Sequence, residues 1–495
     1  MPIASRKPQA AIIIGSGIGG LSMAIILAKL GFDVTVVEKN EQPGGMLRSY
    51  VRKGVQCNVG LHYLGALDQG QVLRRCFDYL GITEQLPLQR MGCGEPVDRY
   101  YFSGHAQGPA QFDMPTGIDA YEENLKRAFA GEHPQIEAFM GLVRSGADQL
   151  DRLGFLYEGQ SGMNLIDQTE PLGAVFKRLG CSPGLKSVLS IPSGWIGVPP
   201  DKCPQFYLTM TLASYLLSAW RLETNGAHMA DVLVQRLVEL GGRLVSGKAA
   251  ASIDVRQGNV QGVTLVDGQS LFAPRVVAAV HPAVALGLMD ADQVKPSYRR
   301  RIKNLKNTLG MVSVNALVPG DQHQPLPYNV FVVQASDDGA IDDVVYFQLR
   351  PCERPGRLLL SMLTSGHDAS WKPWEATQTR RRGSDYIDAK MRLAGQLIQR
   401  VEPITGRFRQ IEVIDVYTPL SIRDWVNSPG GSAYGVMRCE DQLLSAAMLN
   451  RTAVKGLYLA GQSVMAPGVL GTILGSLITA KFMVGPQRFN REVRI

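Results

Sequence analysis

Ala10 to Ile14 is a short apolar run rich in branched residues, and it breaks into Gly15-Ser16-Gly17-Ile18-Gly19-Gly20. The following "LSMAIILAKL" has helical periodicity, with Ala24 and Ala28 small enough to pack on a sheet, and Gly31 ends it. "FDVTVVEKN" reads as a second strand finishing at Glu38. This order predicts a buried strand, a glycine turn, a helix and a parallel return strand.

Farther along, "MADVLVQRLVELGG" is helix-like, and the next forty residues read as a strand meander with turns at Gln257-Gly258 and Asp267-Gly268. "RVVAAVHP" brings the chain back to the first sheet, His281 ending that strand. "NVFVVQ" and "DVVYFQL" are strand-like, "SDYIDAKMRLAGQLIQRVEP" is helical, and the apolar run Phe206 to Trp220 reads as one core helix, with a cavity-lining or membrane-dipping role second. Near the end, Leu457 to Ala460 is a strand, Gly461-Gln462 a turn, and Pro467-Gly468-Val469 the entry to a helix with an apolar face.

A chain of 495 residues exceeds one usual core, so two interleaved domains are expected. Residues 1–70, 222–290 and 425–495 are assigned to a discontinuous nucleotide-binding domain, and 71–221 and 291–424 to a substrate domain. The fold class is α/β: a Rossmann-like domain of the glutathione-reductase type with an interleaved α+β substrate domain.

The net charge is +7, but the basic residues are dispersed, which argues against a nucleic-acid partner. "SYRRRIKNLK" and Arg380-Arg381-Arg382 suit either anionic lipid or plain solvation. Seven cysteines without CxxC spacing indicate neither a disulfide framework nor a zinc site, and point to a reducing, cytoplasmic setting. No run of ~18 apolar residues is present to span a bilayer, which leaves peripheral membrane association as the alternative to a freely diffusing chain.

The glycine turn supplies the first chemistry. Gly15 permits the tight turn, Gly17 lets backbone approach a pyrophosphate, and Gly20 lets helix and strand close together. Glu38 stands near the ~20-residue offset at which an acid meets a free ribose hydroxyl. The fingerprint alone does not separate NAD from FAD. A second helix N-terminus at Gly468 suits the electron-rich pyrimidine end of a reduced flavin, and so favours FAD.

Together with the paired glycines Gly44-Gly45, "GLHYLG", "YTPLSIRDWVNSPGGSAYGV" and "GLYLAGQSVMAPGVLG", the fingerprint resembles the phytoene desaturase superfamily of FAD-dependent oxidoreductases, most closely its retinol saturase and carotenoid isomerase branch. The resemblance runs from about residue 10 to about residue 485. It implies non-covalent FAD, with Gly15, Gly17 and Gly20 at the diphosphate and Glu38 at the adenosine ribose. It places Gly44, Gly45 and Met46 along the diphosphate and ribityl path, Ala250 at adenine, and Gly461, Gln462, Gly468 and Val469 near ribityl and pyrimidine. Two departures stand out. Desaturases usually carry arginine after the paired glycines, where this chain has Met46 with Arg48 two positions on; saturases usually read GQD in the tail, where this chain has Ser463.

The implied reaction is reduction of a C=C bond of a lipophilic conjugated polyene or isoprenoid, with reductive cyclisation, desaturation and cis-trans isomerisation as alternatives. Only one dinucleotide fingerprint is present, so the electron donor, NAD(P)H being one candidate, either visits the flavin transiently or reduces it through a carrier. From another class, prenyl-protein binding modules of the GDP dissociation inhibitor type share the fold without using flavin; Glu38 and the GQ-containing tail favour the enzyme. His62 and Tyr63 fall where the family's chain leads toward the substrate cavity, and are read either as proton donor and polariser or as a satisfied structural pair. Tyr434, in "GGSAYG", is a third catalytic candidate, as a cavity wall, or is simply core.

Overall fold

The computed structural model describes residues 8–104, 108–158 and 169–495. Its first sheet is parallel, with five strands in the order Arg243–Val245, Asp33–Val37, Ala10–Ile14, Arg275–Ala278 and Leu457–Leu459. Strands that far apart in sequence share one sheet because both of its faces are covered, which is why they read as continuous apolar runs rather than alternating ones. The helix Ile18–Lys29 follows the first strand and is apolar almost all round, with Leu21, Met23, Ile25 and Ile26 fully buried. It lies against both Gly226–Glu239 and the C-terminal Gly468–Val484. An antiparallel meander, Ala250–Arg256, Asn259–Leu265 and Ser270–Phe272, flanks this sheet and turns at Gln257-Gly258 and Asp267-Gly268. The class is α/β, with a Rossmann-like dinucleotide unit.

A second, seven-stranded sheet runs Glu412–Tyr417, Met311–Pro319, Arg357–Ser365, Ile341–Pro351, Asn329–Ala335, Asp98–Gly104 and Gln111–Met114. All of its pairs are antiparallel except Asn329–Ala335 with Asp98–Gly104, which sets Asn329 beside Asp98. Helices His133–Arg152, Pro183–Gly194 and Gln205–Leu217 close the space between the sheets.

Two expectations change. The run Phe206 to Trp220 is not one helix: the helix ends at Leu217, Ser218 is extended, and Ala219–Leu222 is a strand joining Leu64-Gly65 to Leu88–Arg90. The Ser218 hydroxyl accepts from the Leu67 N–H at 2.9 Å, so a side chain draws the backbone out of the helix where hydropathy is still high. Nor are the three consecutive arginines one free basic face, because Arg382 is buried in an ion pair with Asp424 and lies over the Tyr386 ring.

Candidate functional site

The dinucleotide cradle forms where the first strand meets its helix. Gly15 has φ +98, and a Cβ there would lie 3.0 Å from the Ala279 carbonyl oxygen. A Cβ on Gly20 would overlap the Gly15 carbonyl oxygen, so this position closes helix onto strand. Gly17, by contrast, is the N-cap residue, extended and without a side-chain cap, and nothing lies within 4 Å of where its Cβ would be. The helix therefore opens on free N–H donors with room beside them, the arrangement that receives a phosphate. Gly44 and Gly45 both have positive φ and approach Gly17, a Cβ on Gly45 falling 3.0 Å from the Gly17 Cα. Glu38 is buried: Oε2 accepts from Ser16 N–H at 3.0 Å and Ser16 Oγ at 2.7 Å, and Oε1 from Asn40 N–H at 2.9 Å and Asn40 Nδ2 at 2.8 Å. Those bonds fix the carboxylate at the wall that Ala250 also lines.

The second helix N-terminus faces the same space. Gly468, with φ +78, follows Pro467 at the start of Gly468–Val484, which has no side-chain cap. Gly461, at φ +100, makes the preceding turn, and Gln462 Nε2 donates to the Ala433 carbonyl at 3.2 Å, tying the tail to the Tyr434 loop. A glycine that the fingerprint reading passes over, Gly19, joins the halves: its Cβ would lie 2.6 Å from the Gly461 Cα. Uncapped helix ends and glycine walls at both ends of one channel fit an FAD.

That channel belongs to a cavity of about 1190 Å³. This exceeds the ~300–1,000 Å³ of a usual small-molecule site, so it has room for more than one ligand. Gly15, Gly17, Glu38, Gly44, Gly45, Met46, Ala250, Gly461, Gln462, Gly468 and Val469 line it, as do His62, Tyr63 and Tyr434. Beyond Met46 and Gly60 the wall turns aromatic. Tyr63 packs on Tyr215 with ring centroids 4.7 Å apart, Trp195 on Tyr215 at 4.9 Å, Phe331 on Tyr346 at 5.1 Å, and His62 on Tyr346 at 5.5 Å.

The model of the flavin containing amine oxidoreductase family matches residues 18–481. The chain belongs to that family. It is an FAD-dependent oxidoreductase. Among similar proteins are the all-trans-retinol 13,14-reductases of Macaca fascicularis, 25% identical over 537 residues (96% of this chain, 86% of the relative), and of Homo sapiens, 25% identical over 527 residues (94% and 84%). A 4,4'-diapolycopene oxygenase of Methylomonas sp is 24% identical over 514 residues (98% and 100%). These relatives place the oxidoreductase in the phytoene desaturase superfamily, on the retinol saturase branch. An oxidoreductase from Methanosarcina mazei has the same fold at 15% identity and a TM-score of 0.66, covering 95% of this chain and 100% of its own; putrescine oxidase does so at 15% and 0.63, covering 96% and 99%.

Beside the aromatic wall the oxidoreductase holds a polar cluster centred on Asp98. Tyr63 Oη is 3.3 Å from Asp98 Oδ2, and Asn329 Nδ2 donates to Asp98 Oδ1 at 2.6 Å. Burial pushes the Asp98 carboxyl up to about 7 against the pull of its two hydrogen bonds. Burial, then the charges of Arg350 and Arg221, push His62 down to about 3, so its imidazole is neutral at physiological pH and its Nε2 has no partner. Tyr63 is held well above the ordinary phenol range by burial and then by Asp98, and Tyr434 is raised to about 12 by burial. Tyr434 sits against Gly197 and its N–H donates to Thr308 Oγ1 at 3.0 Å. One pattern in the sequence, passed over in the reading of it, could have pointed to this cluster. Tyr346, Gln348 and Arg350 alternate with Phe347 and Leu349 in the strand Ile341–Pro351, and so occupy one face of it.

The two departures in the oxidoreductase's motifs have local reasons. Arg48 is buried: its Nε donates to the Gly45 carbonyl at 3.1 Å and its Nη2 to the Trp425 carbonyl at 2.7 Å, so it braces the paired-glycine turn. Ser463 is buried, with its Oγ accepting from the Val436 N–H at 3.3 Å and pressed against Gly435.

Proposed function

We propose that this enzyme saturates a C=C bond of a conjugated polyene or isoprenoid. The observation that carries the reading is one cavity running from the glycine-walled cradle into an aromatic chamber formed by Tyr63, Trp195, Tyr215, Phe331 and Tyr346. Flat, polarisable walls suit an extended π-system, and their apolar faces keep water from the reacting carbons. A bound reduced FAD supplies two electrons as a hydride. The chain's own part is to seat the polyene between the aromatic faces and to provide a proton for the second carbon. His62, neutral at working pH, presents an imidazole that can polarise but is not a cationic acid. Tyr63 keeps its phenolic proton throughout the physiological range and is the better proton source. NADH or NADPH is the proposed transient electron donor.

The substrate's proposed source is a membrane surface. Met448 and Phe482 line the cavity yet are 57% and 39% exposed, Leu444 nearby is 90% exposed, and the Arg451 guanidinium lies 5.7 Å over the Phe482 ring. An apolar rim with an adjacent cation suits the interface of an anionic bilayer. No helix among the described residues is long and apolar enough to cross a membrane.

The test is anaerobic. Flavin-loaded protein is reduced and mixed with all-trans-retinol or a linear carotenoid, and flavin reoxidation is followed with mass analysis of the products. Reoxidation coupled to a product carrying two more hydrogens is expected. Oxidised protein that instead removes hydrogens from the same compounds, with reduced protein inert toward them, would reverse the assigned direction.

A further inference from the structure

The Asn329 amide is fixed by three donors converging on its Oδ1: Arg221 Nη2 at 2.8 Å, Gln348 Nε2 at 2.9 Å and Tyr346 Oη at 3.1 Å. An arginine cannot accept a hydrogen bond, so the amide cannot be turned over. Its Nδ2 must therefore point at Asp98 Oδ1, which is an acceptor only. Any proton on this fully buried carboxyl then sits on Oδ2, the oxygen facing Tyr63 Oη.

That geometry leaves two states. With Asp98 ionised, the Tyr63 hydroxyl donates to Oδ2, and only oxygen lone pairs face the cavity. With Asp98 protonated, Oδ2 donates to Tyr63 Oη, and the phenolic hydrogen is released to point elsewhere, the cavity being the open side of Tyr63. We propose that Asp98 is the positioning residue that aims the Tyr63 hydroxyl, and that Tyr63 Oη gives the proton to substrate carbon when Asp98 Oδ2 carries its own. The proposal rests on the C=C reduction reading.

The step balances. The carbon–carbon π bond breaks, one carbon receives hydride with two electrons from the reduced flavin, and the other forms a C–H bond as the Tyr63 O–H bond breaks. The phenolate oxygen takes the Oδ2 proton of Asp98, and the carboxylate left behind is reprotonated from solvent between turnovers. Seven groups face Asp98, among them Tyr215 from the helix Gln205–Leu217 and Tyr346 from the strand Ile341–Pro351, on both of which its charge acts. Tyr63 and Asn329 bond it, and Tyr100 on its own strand is engaged with Met114 Sδ at 3.1 Å. Tyr121, from the helix Ile118–Ala128, has an unpartnered buried hydroxyl, and Arg221, from the strand Ala219–Leu222, is the nearby positive charge. None of them forms an ion pair with Asp98 among the described residues, so the acid is free to titrate near neutrality.

The experiment compares flavin-loaded wild type, Asp98→Asn and Tyr63→Phe, with flavin content and melting temperature checked for each. Asparagine keeps the shape, and its NH₂ donates permanently to Tyr63 Oη, mimicking the protonated acid. Single-turnover flavin reoxidation by a polyene should fall in wild type as pH rises through about 7 and show no such break in Asp98→Asn. Tyr63→Phe should be slower by roughly 10²-fold or more at every pH, as for loss of a general acid. A break retained in Asp98→Asn, or a near-normal rate in Tyr63→Phe, would overturn the proposal. Infrared difference spectra of the oxidised proteins give an arm independent of turnover. A carboxylic-acid carbonyl band should appear in wild type as pH falls through about 7 and be missing in Asp98→Asn; its absence from wild type would also overturn the proposal. If wild type reduces no polyene, the reading of the reaction fails and the infrared arm alone decides the state of Asp98.

Discussion

His62 and Asp98 titrate in opposite senses, and their effects on stability oppose each other. The Asp98 carboxyl is raised from 3.8 to about 7, so between those values the folded chain holds a proton that the unfolded chain has lost, and stability falls as pH rises. The His62 imidazole is lowered from 6.5 to about 3, so there the unfolded chain holds the extra proton, and stability falls as pH drops. Each shift corresponds to something on the order of 4 kcal/mol. In wild type the two slopes offset each other from about pH 4 to about pH 6.5. Relative to wild type, Asp98→Asn should gain stability steadily from about pH 4 to about pH 7. His62→Gln should gain as pH falls below about 6.5. Denaturant midpoints measured across this range check both, and parallel curves for all three proteins would show that neither group is buried as described.

At the scale of elements, the flavin cradle depends on two helix N-termini meeting. Ile18–Lys29 and Gly468–Val484 touch through Gly19, where a Cβ would lie 2.6 Å from the Gly461 Cα and 2.9 Å from Thr472 Cγ2. The Gly461 Cα is backbone of the turn after the strand Leu457–Leu459 and Thr472 belongs to the helix Gly468–Val484, so added bulk at Gly19 must push backbone aside. Gly19→Ala should cost roughly 1–3 kcal/mol, as overpacking does, and lower FAD retention on gel filtration. Gly17→Ala, with open space around its Cβ, should leave the melting temperature of flavin-free protein close to wild type, so the pair separates packing from cofactor approach. Unchanged stability in Gly19→Ala would mean that the helices meet elsewhere.

For the whole molecule, the cavity lies between the parallel sheet and the seven-stranded sheet, and residues of Gly15–Gly19 and of Gly461–Val469 line it together. A ligand that binds only the folded state stabilises it, by about 2.7 kcal/mol when present at 100 times its dissociation constant. The protein should therefore purify yellow and release free FAD on heat denaturation, because no histidine or cysteine stands in a flavin-attachment motif. After FAD is stripped, the melting temperature should fall and should recover on reconstitution. Flavin that stays with the precipitated chain would reveal a covalent link.

The sequence by itself determined the strand–glycine turn–helix–strand unit that opens the cradle, because the constraints on that unit are local. Gly15, Gly17 and Gly20 follow one strand within a single turn of helix, and Glu38 ends the next strand, so steric demand and spacing are visible in thirty residues. The alternation of Tyr346, Gln348 and Arg350 with Phe347 and Leu349 was a signal that the sequence reading passed over. The family resemblance implied that Tyr63 stands toward the substrate, yet could not say what the tyrosine touches. Only the tertiary structure decided that. Asp98 reaches Tyr63, 35 positions away, and Asn329, 231 positions away, because a parallel pairing in the seven-stranded sheet sets Asp98 beside Asn329. A carboxyl's proton affinity depends on what excludes water from it and which dipoles face it, and those neighbours come from strands that meet only when the sheets close.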